Sequence, residues 1–377
     1  EFTPSMVGDI FSNLDAESPI HPFTVGIIDD VSHLSLPDSN GGSAEPDDVF
    51  RAVFFGLGSD GTVGANKSTV KIIGDASDLH AQGYFVYDSK KSGSVTVSHL
   101  RFSPRPIRST YLVDQAQFVG CHQFDLLERL DVLEVAAQGA TLLINSPHPA
   151  GDVWDHLPSW VKSRINELEL EVWTIDASRI AAALGLGGRI NIVLQSCFFA
   201  LTDLIEAGHA TAGMVSQIRK SYGKRGDIVV DRNIQAMELA LAALERVETR
   251  AAPATNGAPL RGLEEAPEFV KRVTAMMMAG KGDLLPVSAL PVDGAFPTAT
   301  TQWEKRSLAT EIPLWDPSIC IDCARCALVC PHAAIRIKYY DPKELENAPE
   351  GFMHAEPRGK DFPGKAFTIQ VAPDDCT

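Results

Sequence analysis

Long apolar runs are missing from this chain. No stretch approaches the roughly 18 consecutive apolar residues of a membrane-spanning helix, so no span is expected. Basic charge is short as well: 33 Lys and Arg stand against 49 Asp and Glu, a formal net charge of −16. A surface of that sign repels phosphate backbones, which argues against nucleic acid as a partner but leaves room for a local basic pocket. The N-terminus, Glu1-Phe2-Thr3-Pro4, has neither the basic start nor the apolar stretch of a secretory signal. No internal repeat is visible. Cysteine is scarce, at seven in 377 residues, and clustered: four fall within the eleven residues from Cys320 to Cys330, and Cys376 sits beside the C-terminus. That clustering points to metal ligation in a reducing compartment, the cytoplasm or an organelle, rather than to a disulfide framework.

The mix that remains, 45% hydrophobic and 22% charged, belongs to a folded chain long enough for more than one domain. Residues 1–48 read as the end of a preceding domain, with Phe23 to Ile28 strand-like and a linker composition from Leu36 to Gly42. Residues 49–247 alternate strand and helix signals. Val53-Phe54-Phe55, Gly83 to Tyr87, Val95-Thr96-Val97, Thr141 to Ile144 and Val172 to Ile175 read as strands. Leu126, Leu127, Leu130, Leu133 and Val135 fall near helical spacing, and helical patterns dominate from Ile180 to Val247. The alternation predicts a layered α/β domain with a mostly parallel sheet. Residues 248–310 are punctuated by proline and read as a linking segment that wraps, with a short helix near Phe269 to Met278 and a packing face at Met276-Met277-Met278.

The densest chemical signal is Cys320-x2-Cys323-x2-Cys326-x3-Cys330-Pro331. A cubane needs thiolates turned inward from one tightly wound loop. Two-residue gaps bring three sulfurs to one face, and in two-cluster ferredoxins the fourth Cys, before Pro, ligates the other cluster. A zinc knuckle is the competing assignment, but zinc sites pair CxxC groups across a longer gap and often use His. His332 reads as a surface or packing residue. Val371 to Thr377 resembles the opening of a second such run, so Cys330 and Cys376 would be two ligands of a second cluster. On that rule residues 311–377 are expected to be a truncated two-cluster ferredoxin domain that does not hold two intact cubanes by itself. Cys121 and Cys197 stand in apolar surroundings and read as buried, inert thiols.

The second dense signal is glycine-rich, from Gly56 to Ser68. Gly56, Gly58 and Gly61 satisfy G-x-G-x-x-G after a strand, a pattern that brings backbone N–H groups and a helix start toward a phosphate, and Lys67 adds positive charge. A nicotinamide fingerprint is poorly met, because no acidic residue is clearly placed about 20 residues on. A Walker loop is not met either, since Lys67-Ser68 lacks the preceding Gly. Gly74-Asp75-Ala76 falls short of the Gly-Asp-Gly of a thiamine diphosphate site. A generic phosphate cradle with a lysine survives, against a purely structural turn. Lys90 to Gly93, His99 to Phe102 and Asn191 offer further polar groups that read equally well as surface charge or helix caps.

Together the segments Glu1 to Pro4, Phe23 to Leu34, Gly56 to Lys67, Lys91 to Tyr111, Leu184 to Phe199 and Cys320 to Pro331 resemble the 2-oxoacid:ferredoxin oxidoreductases, in particular the pyruvate:ferredoxin (flavodoxin) oxidoreductases. The resemblance implies that residues 49–247 form a γ-type α/β domain with a coenzyme A site on the Gly-rich loop, carried over to Gly58, Gly61, Asn66, Lys67 and Lys91. It implies [4Fe–4S] ligation by Cys320, Cys323, Cys326, Cys330 and Cys376. It further implies oxidative decarboxylation of pyruvate with coenzyme A, electrons leaving to ferredoxin or flavodoxin, and a homodimer when full length. Thiamine diphosphate and magnesium would bind outside this chain, which is therefore not expected to be active alone. Two other assignments stay open: a non-catalytic iron–sulfur electron-transfer module, and the core of a pyruvate:NADP oxidoreductase.

Overall fold

The computed structural model describes residues 2–37, 45–58, 60–87, 95–255, 263–305, 309 and 311–376. It divides into two compact units, the boundary falling between Thr298 and Ala299.

The first unit opens with a helix, α1 (Pro4–Leu14). Thr3 caps it: its Oγ1 accepts the Met6 N–H at 3.4 Å, and Pro4 occupies the first turn, where a missing N–H costs nothing. The seven-stranded sheet follows, built from β1 (Phe50–Leu57), β2 (His80–Tyr87), β3 (Val95–Ser103), β4 (Ala116–Cys121), β5 (Ala136–Asn145), β6 (Glu171–Ile175) and β7 (Glu245–Arg246). Their spatial order is β2-β3-β1-β4-β5-β6-β7. The central strands β1, β4, β5 and β6 run parallel, while β3 lies antiparallel to both β1 and β2, and β7 antiparallel to β6. The six central residues of β1, Arg51 to Gly56, are all buried, as a strand covered on both faces must be.

Helices cover both faces. On one side α2 (Thr62–Ala76), α6 (Ala177–Ala183), α7 (Asn191–Ala200) and α9 (Asp227–Ala243) pack against Phe54, Phe118 and Leu143, with Phe54, Phe118 and Phe198 in mutual aromatic contact. On the other, the short α3 (Leu126–Arg129), α4 (Ala150–His156) and α5 (Ser159–Glu167) close over Val53, Val119 and Leu142. Helix α8 (Ala207–Tyr222) adds a smaller core with α2, α7 and α9, through Ile72, Ile192, Met214, Ile218 and Met237. Each such side chain contributes about 1.5–3 kcal/mol on burial.

One charge lies inside this unit. Arg101, on β3, is 1% exposed, and its Nε donates to the equally buried Glu45 carboxylate. Its other nitrogens reach Gln82 Oε1 at 3.1 Å and the Tyr111 carbonyl at 2.8 Å, and its guanidinium lies 5.1 Å from the Tyr111 ring. The pair ties the segment ahead of β1 to β3, the second strand of the sheet.

Three expectations need correction. Phe23 to Ile28 forms no strand, only isolated bridges from Thr24 to Ser35 and from Ile28 to Pro286. The Asp29 carboxylate accepts the N–H groups of Val31, Ser32 and Leu34, a local turn that outcompetes a ladder. Leu126 to Val135 is not one helix. A single turn ends at Arg129, Leu130 is extended, and the apolar spacing reflects burial of Leu126, Leu127 and Leu133 in a compact loop. In the stretch from Phe269 to Met278 the buried residues are Val270, Val273, Thr274 and Ala275, whereas Met277 and Met278 are 45% and 36% exposed. That stretch winds as a π-helical turn over Val270–Thr274 and runs into α10 (Ala275–Met278). Further on, Val287 N–H donates to Ile28 O, and Ser288 N–H donates to Asp30.

The second unit holds α11 (Arg325–Val329) and an antiparallel pair, β8 (Ile335–Tyr340) and β9 (Ala366–Val371), with Tyr339, Phe362, Phe367 and Trp315 in ring contact. Asp375, the residue next to Cys376, binds both Lys305 and Arg336 at the start of β8. No helix among the described residues is long and apolar enough to cross a membrane.

Candidate functional site

Strand β1 delivers the chain into the Gly-rich turn, and α2 leaves it. Gly61 is the residue ahead of α2, with φ +90°, a left-handed conformation that suits glycine. It is also crowded: a Cβ there would lie 2.8 Å from Asn191 Cγ. At Gly56 a Cβ would lie 2.4 Å from Thr62 Oγ1. Gly58 sits in the turn between them. The helix start already has one anion. Asp60 Oδ1 accepts the Thr62 N–H at 2.8 Å, and its Oδ2 accepts the Leu57 N–H at 2.8 Å. The N–H groups of Val63 and Gly64 have no hydrogen-bond partner among the described residues.

Beneath the first turns of α2 lies a polar patch. Thr62 Oγ1 and His122 Nδ1 are 2.7 Å apart, both fully enclosed. Burial pushes the His122 pKa down to about 4, so the ring is neutral near pH 7. His122 Nε2, Asn66 Nδ2, Thr96 Oγ1 and Ser98 Oγ are all buried without a hydrogen-bond partner among the described residues. Thr96 and Ser98 are paired with Gly56 and Phe54 of β1 and so share the sheet face that α2 covers. Four orphaned polar atoms in one region call for bound water.

The site residues expected from sequence therefore separate. Gly58 and Gly61 shape the turn. Asn66 is buried, while its neighbour Lys67, about 100° further round the helix, is exposed and lies 5.2 Å from the Phe85 ring. Lys91, with Lys90, Ser92 and Gly93, lies outside the described residues. Sequence reasoning passed over Asp60, Thr62 and His122. A Ser-Asp-Gly turn signals the first; only the fold brings the last two together.

In the second unit the cysteine loop is tightly coiled. Asp322, Ala324 and Ala333 have φ of 57°, 58° and 51°, left-handed positions that wind the backbone round the sulfurs. Asp322 N–H donates to Cys320 Sγ at 3.4 Å. The backbone N–H of Ile335, followed by those of His332, Ala334 and Ala333, holds the Cys330 thiol below its usual pKa. Donors aimed at sulfur stabilise thiolate and tune a cluster bound to it, so the loop fits a thiolate-ligated cluster. Among the described residues no three His, Cys, Asp or Glu side chains converge on one metal ion; a cubane asks for something else, one thiolate on each of four irons. All seven cysteines are free. Cys121 and Cys197 are buried, and burial drives both up to about 12, as inert thiols require.

A layered α/β unit joined in one chain to a coiled cysteine loop defines an iron–sulfur oxidoreductase. Comparison with known families agrees. Residues 51–243 match the model for pyruvate ferredoxin/flavodoxin oxidoreductase, residues 257–309 a domain of unknown function, and residues 312–335 a 4Fe-4S binding domain. The chain belongs to the pyruvate ferredoxin/flavodoxin oxidoreductase family. It is 52% identical to the pyruvate-flavodoxin oxidoreductase of Nostoc sp. over all of this chain and 32% of that protein. It is 48% identical to the pyruvate:ferredoxin oxidoreductase of Moorella thermoacetica, again over all of this chain and 32% of that protein. It is 40% identical to the mitochondrial pyruvate dehydrogenase [NADP(+)] of Euglena gracilis, over all of this chain and 21% of that one. The chain thus spans about a third, or less, of the length of the curated relatives it matches.

Proposed function

We propose that this chain is the coenzyme A-binding and electron-relay portion of an enzyme that converts pyruvate and coenzyme A to acetyl-CoA, carbon dioxide, a proton and two electrons. The observation that carries the reading is the coiled loop of Cys320 to Cys330, with backbone N–H groups turned toward sulfur, in the same chain as the family's α/β unit. Thiamine diphosphate with magnesium supplies the carbanion chemistry when bound to the full-length enzyme, outside this chain. Within the chain, the 49–247 domain receives coenzyme A. The free N–H groups at the start of α2 and the exposed Lys67 meet its phosphates, together with Gly58, Gly61 and Lys91. Asn66, assigned to the same site, is buried beneath the helix, and its Nδ2 has no hydrogen-bond partner among the described residues.

The 311–377 domain carries [4Fe–4S] clusters. Cys320, Cys323 and Cys326 share one with a further thiolate, and Cys330 and Cys376 serve a second. Residues 248–310 link the two domains. Electrons leave to ferredoxin or flavodoxin, the acceptors in the names of the Nostoc and Moorella relatives. The Euglena relative, named for NADP(+), supports a second reading in which the final acceptor is NADP. The full-length enzyme works as a homodimer in a reducing compartment, in keeping with seven free cysteines.

Calorimetry tests the coenzyme A assignment. Coenzyme A is expected to bind this chain and NADH not to. Lys67→Ala is expected to weaken binding about 10- to 100-fold, the worth of one charge-assisted hydrogen bond. Binding of NADH in place of coenzyme A, or a Lys67→Ala variant as tight as the parent, would overturn it.

A further inference from the structure

Strand β8 reaches the cysteine loop through one hydroxyl. Tyr339, near the end of β8, pairs with Phe367 of β9. Its ring is stacked on Phe362, with centroids 4.2 Å apart and 16° between the planes, and lies 5.6 Å from the Phe367 ring. Phe367 is itself buried and meets Trp315. A ring held by two neighbours aims its hydroxyl in one direction, and the Tyr339 hydroxyl donates to Asp322 Oδ1 at 2.8 Å. Burial, then the hydrogen bond to Asp322 and its charge, and last the charge of Cys320, hold the phenol above its usual pKa, so it stays a donor.

Asp322 lies between two of the proposed ligands, Cys320 and Cys323. Its φ of 57° is a conformation that Asp adopts more readily than most residues but that still needs support. In that conformation its own N–H is the donor to Cys320 Sγ at 3.4 Å. One residue thus brings two opposing groups to the loop. An N–H aimed at sulfur favours the reduced, more negative state of a cluster, and a carboxylate nearby disfavours it. The other carboxylate next to a proposed ligand is handled differently. Asp375, before Cys376, is paired with Lys305 and Arg336. Asp322 has no cation partner among the described residues, and the neutral phenol of Tyr339 is what answers its charge.

We propose that Tyr339 is a positioning residue for the cluster on Cys320, Cys323 and Cys326: acting through Asp322, it fixes the N–H aimed at Cys320, offsets the carboxylate, and so sets the reduction potential. This rests on the cluster reading above and adds the residue that tunes it. The test is an anaerobic redox titration of the full-length enzyme followed by EPR, with iron content measured beside it. Tyr339→Phe should lower the midpoint of one cluster signal, by about two- to tenfold in the reduction equilibrium, tenfold being about 59 mV for a one-electron couple. Asp322→Asn keeps an acceptor for the phenol and removes the charge, so it should move the same signal the other way. Tyr339→Phe added to Asp322→Ala should leave the midpoint where Asp322→Ala puts it, because the phenol acts through that carboxylate. Iron content should equal the parent's throughout. A Tyr339→Phe midpoint equal to the parent's, shifts of the same sign in Tyr339→Phe and Asp322→Asn, a further shift in the double variant, or loss of iron from Tyr339→Phe, which would make the contact merely structural, each overturns the proposal. Absence of iron from the parent enzyme is a different failure, that of the cluster reading itself.

Discussion

Gly61→Ala is the most direct test of how the Gly-rich turn is held. The residue has φ +90° and ψ −2°. Putting a Cβ into that left-handed conformation costs about 1–2 kcal/mol. The new methyl also meets Asn191 at 2.8 Å from Cγ and 3.0 Å from Cβ and Oδ1, inside normal contact distance. Overpacking of that kind costs about 1–3 kcal/mol, for a total of roughly 2–5 kcal/mol. The two parts can be separated. Asn191→Ala removes Cγ and Oδ1 but leaves Cβ and the backbone strain. The double variant should therefore recover only part of the loss, with a coupling of about 1 kcal/mol. Urea unfolding followed by tryptophan fluorescence is the assay, since Trp154 and Trp160 are buried in this unit. The midpoint should fall with the slope unchanged. A Gly61→Ala midpoint equal to the parent's, or additive single and double variants, would refute the steric account.

Two further outcomes follow from buried charge. Glu45→Ala strips Arg101 of its carboxylate and leaves the guanidinium, among the described residues, with Gln82, the Tyr111 carbonyl and the Tyr111 ring. Stability of the α/β unit should drop by about 3–5 kcal/mol in the same assay, and a drop below about 1 kcal/mol would mean that water already reaches the pair. Stability should also fall with acid. His99 and His122 both have pKa values pushed down to about 4, by burial in each case and at His99 also by the charge of Arg101. The unfolded chain takes up these protons near pH 6.5 and the folded chain only near pH 4, so stability is full above about 6.5 and lost as pH falls toward 4, by up to roughly 3 kcal/mol for each ring. A urea midpoint that holds from pH 7 to 4.5 would show that neither ring stays neutral for lack of solvent.

What the sequence made legible was mostly local. The cysteine run could be read because its residues lie within one loop and the spacing itself is the chemistry. Strands β1, β5 and β6 could be read because a strand covered on both faces is a continuous apolar run. Helix α1 passed unnoticed although Thr3-Pro4 is a helix-start signal. Phe23 to Ile28 misled because its composition is that of a strand while Asp29, just beyond it, closes a turn with its own side chain. Arg101 with Glu45, 56 residues apart, and Thr62 with His122, 60 apart, were out of reach of any local pattern. The cavity of 290 Å³ between α2, α7 and α8 was hidden for the same reason: Arg189 and Arg225, which line it with Gly61, Gly64 and Asn191, belong to different helix ends, and each alone is a surface arginine.

The Gly-rich turn shows why a motif of this kind is weak by itself. Each of two glycines has a reason that involves no ligand: Gly56 makes room for Thr62, and Gly61 makes room for Asn191 while taking a left-handed φ. A side-chain carboxylate, Asp60, already serves the helix start that the motif would offer to phosphate. The same three-glycine spacing therefore arises wherever a strand must turn sharply into a helix packed close to it. Ligand choice is left to what the turn does not consume, namely the N–H groups of Val63 and Gly64 and the charges that neighbouring elements bring. Those charges lie on two sides, Lys67 over Phe85 on one and Arg189 with Arg225 on the other. Gly64, in the cavity wall, stands only about 60° round the helix from Lys67, so substitutions at the lysine and at the arginines act on adjoining parts of one helix start.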